Sequence, residues 1–109
     1  MNAVNLEIGD KAYRLRYDFN AIADIEQQAG AGVGELFSEG KVGFNTIRLL
    51  LWGGLKWEDK GLTLQRAGMI VNEWIQQGNE IEDLMEYVQE ALEKSGLFGE
   101  KKNEAGGEN

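Results

Sequence analysis

The residues predict an α+β domain, mostly helical, in which an N-terminal β-hairpin packs against four to five α-helices. Three observations carry that expectation. Apolar residues alternate with polar ones from Val4 to Tyr17, interrupted at Gly9-Asp10. From Asp18 onward apolar residues recur at helical spacing in segments separated by glycine-containing breaks. After Phe98 the periodicity disappears. A chain of 109 residues is one domain with one core, expected over 1–98, and the acidic and polar stretch 99–109 reads as a disordered tail.

Each element follows from local chemistry. Val4, Leu6 and Ile8 share one strand face, and Gly9-Asp10 suits a two-residue turn because glycine accepts a positive φ at the first corner. Tyr13, Leu15 and Tyr17 continue the alternation, with Arg14 and Arg16 opposite. A lone hairpin is marginally stable, so it must lie on helices. Asp18 is placed to cap the next segment, where Phe19, Ile22, Ile25 and Ala29 make one stripe and Gly30 ends it. A connector over Gly30–Gly34 precedes a helical turn at Glu35–Ser38, and Gly40–Gly43 forms another break.

The third helix is expected from Phe44 or Asn45 to about Trp57. Its stripe is Phe44, Ile47, Leu51 and Leu55, widened by Leu50 and Trp52. A helix apolar around most of its circumference sits centrally in a core. Gly53-Gly54 inside it costs about 1 kcal/mol per glycine relative to alanine, which either close approach of a neighbouring backbone or a kink would explain. Thr63 caps a fourth helix to Gln77, with Leu64, Ala67, Ile70, Val71 and Trp74 inward. The fifth, about Glu80 to Lys94, carries Ile81, Leu84, Met85, Val88, Ala91 and Leu92, with acids leading and Lys94 closing it in line with the helix dipole.

Composition narrows the function. The chain has no cysteine and no histidine, so it lacks disulfides, thiolate metal ligands and the commonest general base. No enzyme activity, metal or cofactor is expected. Nineteen acidic residues against 11 basic ones give a net charge of −8, unsuited to binding phosphate backbones or anionic membranes. No apolar run is long enough to span a bilayer, and no basic-then-apolar signal pattern opens the chain. A cytoplasmic, protein-binding role is the expectation.

Several segments together resemble a known family. They are Tyr13-Arg14-Leu15-Arg16-Tyr17 followed by Asp18-Phe19-Asn20-Ala21-Ile22-Ala23-Asp24-Ile25-Glu26, then Ile47-Arg48-Leu49-Leu50-Leu51-Trp52-Gly53-Gly54-Leu55, then Gly61-Leu62-Thr63-Leu64. In order and spacing the chain, over about residues 4 to 78, resembles the tail assembly chaperones of long-tailed bacteriophages. The likeness is particularly to the branch shared with gene transfer agents, some of whose members are labelled tail tube proteins. The resemblance implies a non-catalytic factor in the cytoplasm of the bacterial host that binds and solubilises the tape-measure protein before the tail tube polymerises around it. It further implies self-association and absence from the finished particle. Many relatives also make a longer product by ribosomal slippage. Lys101-Lys102-Asn103 is compatible with a slippery heptamer, although such a tripeptide is ordinary in a solvated tail and the residues favour that plainer reading. The rival functional expectations are a structural tail (tube) component kept in the particle and an acidic inhibitor that binds a basic enzyme.

The residues singled out for partner binding are Trp52, Trp57, Leu97 and Phe98, tryptophan being enriched at interface hot spots. Trp74 reads as core. Trp57, beside Lys56, Glu58 and Asp59, divides evenly between exposure and burial, and Trp52 lies between the two cases. Leu97 and Phe98 are expected to dock back on the body, or otherwise to form an apolar hook for a partner or second subunit. The helix over Ile81–Leu92 is expected to close its own core rather than exchange between subunits. Asp18, Asp24 and Glu26 read as capping and surface groups rather than as catalytic acids, and Gly30–Gly34 lacks the Lys-Ser/Thr of a phosphate loop.

Overall fold

The computed structural model describes residues 2–37 and 42–98. Two strands, β1 (Val4–Ile8) and β2 (Lys11–Leu15), precede five helices: α1 (Phe19–Ala29), α2 (Val33–Phe37), α3 (Phe44–Leu55), α4 (Leu64–Gln76) and α5 (Ile81–Lys94). The fold is α+β and mostly helical. Ser38, the first half of the Gly40–Gly43 break, and the 99–109 tail with Lys101–Asn103 lie outside the described residues.

β1 and β2 pair antiparallel from Val4↔Leu15 to Ile8↔Lys11 around a two-residue turn. Gly9 adopts φ 64°, the left-handed region that this corner demands. Val4, Leu6 and Ile8 are buried while Asn5 and Glu7 are exposed, so the hairpin presents one apolar face to the helices.

α3 is the centre of the molecule. Leu49, Leu50, Leu51, Gly53, Gly54 and Leu55 are all buried, so neighbours surround it as its all-round apolar sequence demands. Gly53-Gly54 is the contact surface: a β-carbon on Gly53 would overlap the Ile25 side chain of α1. On Gly54 it would fall 2.7 Å from Tyr17 Cζ and 2.8 Å from Leu15 Cδ2. The neighbours that require these glycines are side chains of α1 and of the hairpin's exit, not the neighbouring backbone expected from the sequence. Gly54 also accepts a 2.9 Å backbone bond from Arg16 N–H, tying β2's continuation to α3.

The caps follow the sequence. Asp18 accepts from Ala21 N–H at 2.8 Å, Thr63 Oγ1 accepts from Arg66 N–H at 3.1 Å, and Gly30 ends α1 at φ 70°. α2 begins at Val33, two residues before the expected turn, because Glu26 Oε2 accepts Val33 N–H at 2.7 Å and caps it from α1. α3 ends at Leu55, and the chain continues to Asp59 as turns closing on the Leu55 carbonyl.

Two side chains expected inward are not. Phe19 is 73% exposed and Phe44 is 81% exposed. Each is the first residue of its helix. In α1 the buried stripe is Ala21 and Ile25, the side that Gly53 admits to close contact. α5 lies against both strands and α3 through Leu84, Val88, Ala91 and Leu92, which are buried. Trp74 is buried at the α4–α5 junction, with Nε1 donating to the Glu80 carbonyl at 2.7 Å and its ring edge-on to Tyr87 at 6.0 Å. No described helix is long and apolar enough to cross a membrane.

Candidate functional site

Among the described residues no group of three or more acidic side chains stands close enough to hold a metal ion. The carboxylates that invite a catalytic reading each have structural work. Asp18 caps α1, Glu26 caps α2, and Asp24 pairs with Lys56 Nζ at 2.6 Å. A polar cleft of about 410 Å³ does lie between α1 and the end of α3, lined by Asp18, Asn20, Asp24, Lys56, Trp57 and Lys60. Its charged lining includes the Asp24–Lys56 pair. Tyr17, a buried phenol, donates to the Leu50 carbonyl at 2.6 Å, and burial pushes its ionisation well above the ordinary tyrosine range.

Trp52 and Trp57 are fastened to their own fold. Trp52 is half-buried, its Nε1 donates to the Leu62 carbonyl at 3.0 Å, and Lys56 Nζ lies 5.3 Å from its ring centroid. It therefore pins the loop that leads into α4. Trp57, also half-buried, donates Nε1–H to the Arg14 carbonyl at 3.0 Å. The Arg14 and Arg16 guanidinium carbons lie 5.2 and 5.3 Å from its ring centroid. That stacking uses the cation–π attraction of indole, and Arg14 also pairs with Glu58. Trp57 clamps the hairpin to the end of α3, with part of the ring left to solvent.

Leu97 and Phe98 are 41% and 55% exposed. Ser95 and Gly96 end α5, Gly96 at φ 73°, and Leu97 N–H then donates to Ser95 Oγ at 3.2 Å. The pair carries exposed apolar surface of the kind a hook would use. It is not brought together with Trp52 or Trp57.

A more apolar opening lies elsewhere. A groove of about 410 Å³ runs between the start of α3, the middle of α4 and the start of α5. Its apolar lining is Phe44, Ile47, Val71, Ile75 and Ile81, with Arg48, Asn45, Asn72 and Gly68 completing it. Ile47 is buried and supplies the floor, whereas Phe44 and Ile75 are exposed large apolar residues at the groove. On α4, exposed Met69 adjoins Gly68.

Gly68 leaves the room in which Arg48 lies: a β-carbon there would sit 3.2 Å from Arg48 Cδ. Sequence periodicity does not reveal this site, because it assigns Phe44, Ile47 and Val71 to the core. The available signal is surplus apolar surface, since Met69 and Ile75 fall outside the inward stripe of α4. Comparison of the chain with protein-family models, curated proteins and solved structures finds no match.

Proposed function

We propose that this protein is a non-catalytic bacteriophage tail assembly chaperone, acting in the host cytoplasm, that binds and solubilises the tape-measure protein during tail tube assembly. The observation that supports the reading is an open apolar groove in a small, acidic chain. Its exposed rim residues, Phe44 and Ile75, would be covered by a partner. Aromatic and branched apolar side chains around a concavity of this size are what a helix-in-groove contact uses. The order of packing segments that resembles the chaperone family, with Gly53-Gly54 fitted against Ile25 and Tyr17, adds to it.

The acidic-inhibitor reading finds no support around α1 and α3, where Asp18, Asp24, Glu26, Glu58 and Asp59 are engaged as caps or in ion pairs within the chain. Its support is confined to α5, where Glu82, Asp83, Glu86, Glu90 and Glu93 are exposed.

Co-expression with the long, helix-rich tape-measure reading frame of the same gene neighbourhood tests the proposal. Chaperone action raises the soluble fraction of that protein and brings the two through purification together. Unchanged solubility and no co-purification would refute it. Mass spectrometry of purified particles separates this function from that of a tube subunit, which would be abundant there.

A further inference from the structure

We infer that the α3–α4–α5 groove receives an amphipathic helical segment of a partner whose apolar face carries one acidic side chain, paired with Arg48. The inference deepens the partner-binding reading and rests on it, and it assigns the recognition chemistry to a site.

The starting point is charge. The chain carries 19 acidic residues, yet none of the described ones lines the groove. Its one ionised lining group is the Arg48 guanidinium. The other three arginines each pair with a carboxylate: Arg14 with Glu58, Arg16 with Asp18, and Arg66 with Asp59. Among the described residues Arg48 pairs with none. Its Nη2 donates to Asn45 Oδ1 at 2.9 Å, and its Nε is buried without any hydrogen-bond partner.

A shielded guanidinium N–H with no acceptor is an uncompensated cost in the free protein. Nε itself is closed to any partner, so a carboxylate would be met by the terminal Nη groups, whose charge has no counter-ion among the described residues and whose planar fork matches its two oxygens. Arg48 is held in place for such a contact, because its stem lies over Gly68 and Asn45 one turn earlier steadies the head. Around it Phe44, Ile47, Val71, Ile75 and Ile81 present only apolar surface. The complementary occupant is therefore a helix with apolar side chains at i, i+3, i+4 and i+7 and one Asp or Glu at the groove. A second copy of this chain is the rival occupant. Its exposed hook, Leu97-Phe98, would insert head-to-tail and build a ring or filament.

The test uses two synthetic helical peptides of identical composition, each with leucines at i, i+3, i+4 and i+7. In one, Glu faces the groove and Lys faces outward, and in the other the two are exchanged. Binding to the full chain is read by fluorescence anisotropy. The wild type should prefer the inward-Glu peptide by roughly tenfold. Arg48→Glu should reverse the preference, and Phe44→Asp should weaken both peptides.

Equal affinity for the two peptides, or no binding of either, overturns the inference. So does a preference that survives Arg48→Glu. Sedimentation velocity supplies the other arm: an oligomer that becomes monomeric in both Phe44→Asp and Leu97→Asp assigns the groove to a second copy and also overturns it. If tape-measure solubilisation persists in Arg48→Glu and Phe44→Asp, this site assignment fails while the chaperone function stands. If the wild type fails to solubilise the tape measure but shows the peptide charge reversal, the opposite holds.

Discussion

Tyr17 Oη donates a 2.6 Å hydrogen bond to the Leu50 carbonyl, joining the exit of the hairpin to the middle of α3. Tyr17 is 2% exposed and Leu50 is fully buried, so the bond lies inside the core. One turn along α3, Gly54 makes room for the same phenol ring. These contacts fix the hairpin on the central helix, and through it the frame on which the groove is built.

Removing the hydroxyl by Tyr17→Phe leaves the ring and deletes the bond. Stability should fall by about 1 kcal/mol, read as a lower urea midpoint with an unchanged slope.

The same phenol makes stability depend on alkaline pH. Burial raises its folded-state ionisation above the unfolded value of about 10, so the unfolded chain loses this proton first. The contribution is fully present below pH 10 and is lost as pH rises above it, at up to about 1.4 kcal/mol per pH unit. Urea titrations at several values between about pH 9 and 11 should therefore show a steeper loss for the wild type than for Tyr17→Phe. Subtracting the two cancels the other titrating groups.

Gly54→Ala should destabilise the protein by roughly 2 kcal/mol, because strain from overpacking against Tyr17 and Leu15 exceeds the helix-propensity gain of about 1 kcal/mol. Gly34→Ala supplies the contrast. Nothing lies within 4 Å of the added carbon in α2, so propensity acts alone and stability should rise by up to about 1 kcal/mol. Thermal melts of the two variants should move in opposite directions.

Trp57→Ala should cost about 2 kcal/mol, since it removes the indole bond to Arg14 and the stacking of Arg14 and Arg16 on its ring. Peptide affinity at the groove should stay unchanged, because Trp57 does not line it. A combined denaturation and anisotropy experiment reads both effects.

Phe44→Asp should leave stability unchanged or slightly raised. The side chain is mostly exposed, and the substitution puts a negative charge in the first turn of α3, where the helix dipole favours it by several tenths of a kcal/mol. The same variant should lose partner capture, which a folding defect could then not explain.

Much of the frame is legible in the residues. Gly9-Asp10 sets the hairpin register, Asp18, Thr63 and Gly30 mark helix ends, and the Ile81–Lys94 period gives α5 its face. These are local signals, fixed by one dihedral or one turn. Phe19 and Phe44 are misplaced by periodicity because it assigns a direction from the helix axis but cannot say whether a neighbour covers the helix's first residue. Trp57 is undecidable from sequence because its partner, Arg14, lies 43 residues away. The groove is invisible there for a related reason: α3, α4 and α5 each contribute only a part of its wall, and Arg48 stands out only once its missing counter-charge is seen in three dimensions.

Hydrogen-exchange mass spectrometry on the co-expressed complex with the tape-measure protein tests the partner-binding account most directly. It predicts slowed exchange in the segments spanning 44–48 and 68–75 relative to the free chain, with the exposed face of the hairpin unaltered. A stable complex in which those segments exchange at their free rates, or the failure of any complex to form, would contradict it.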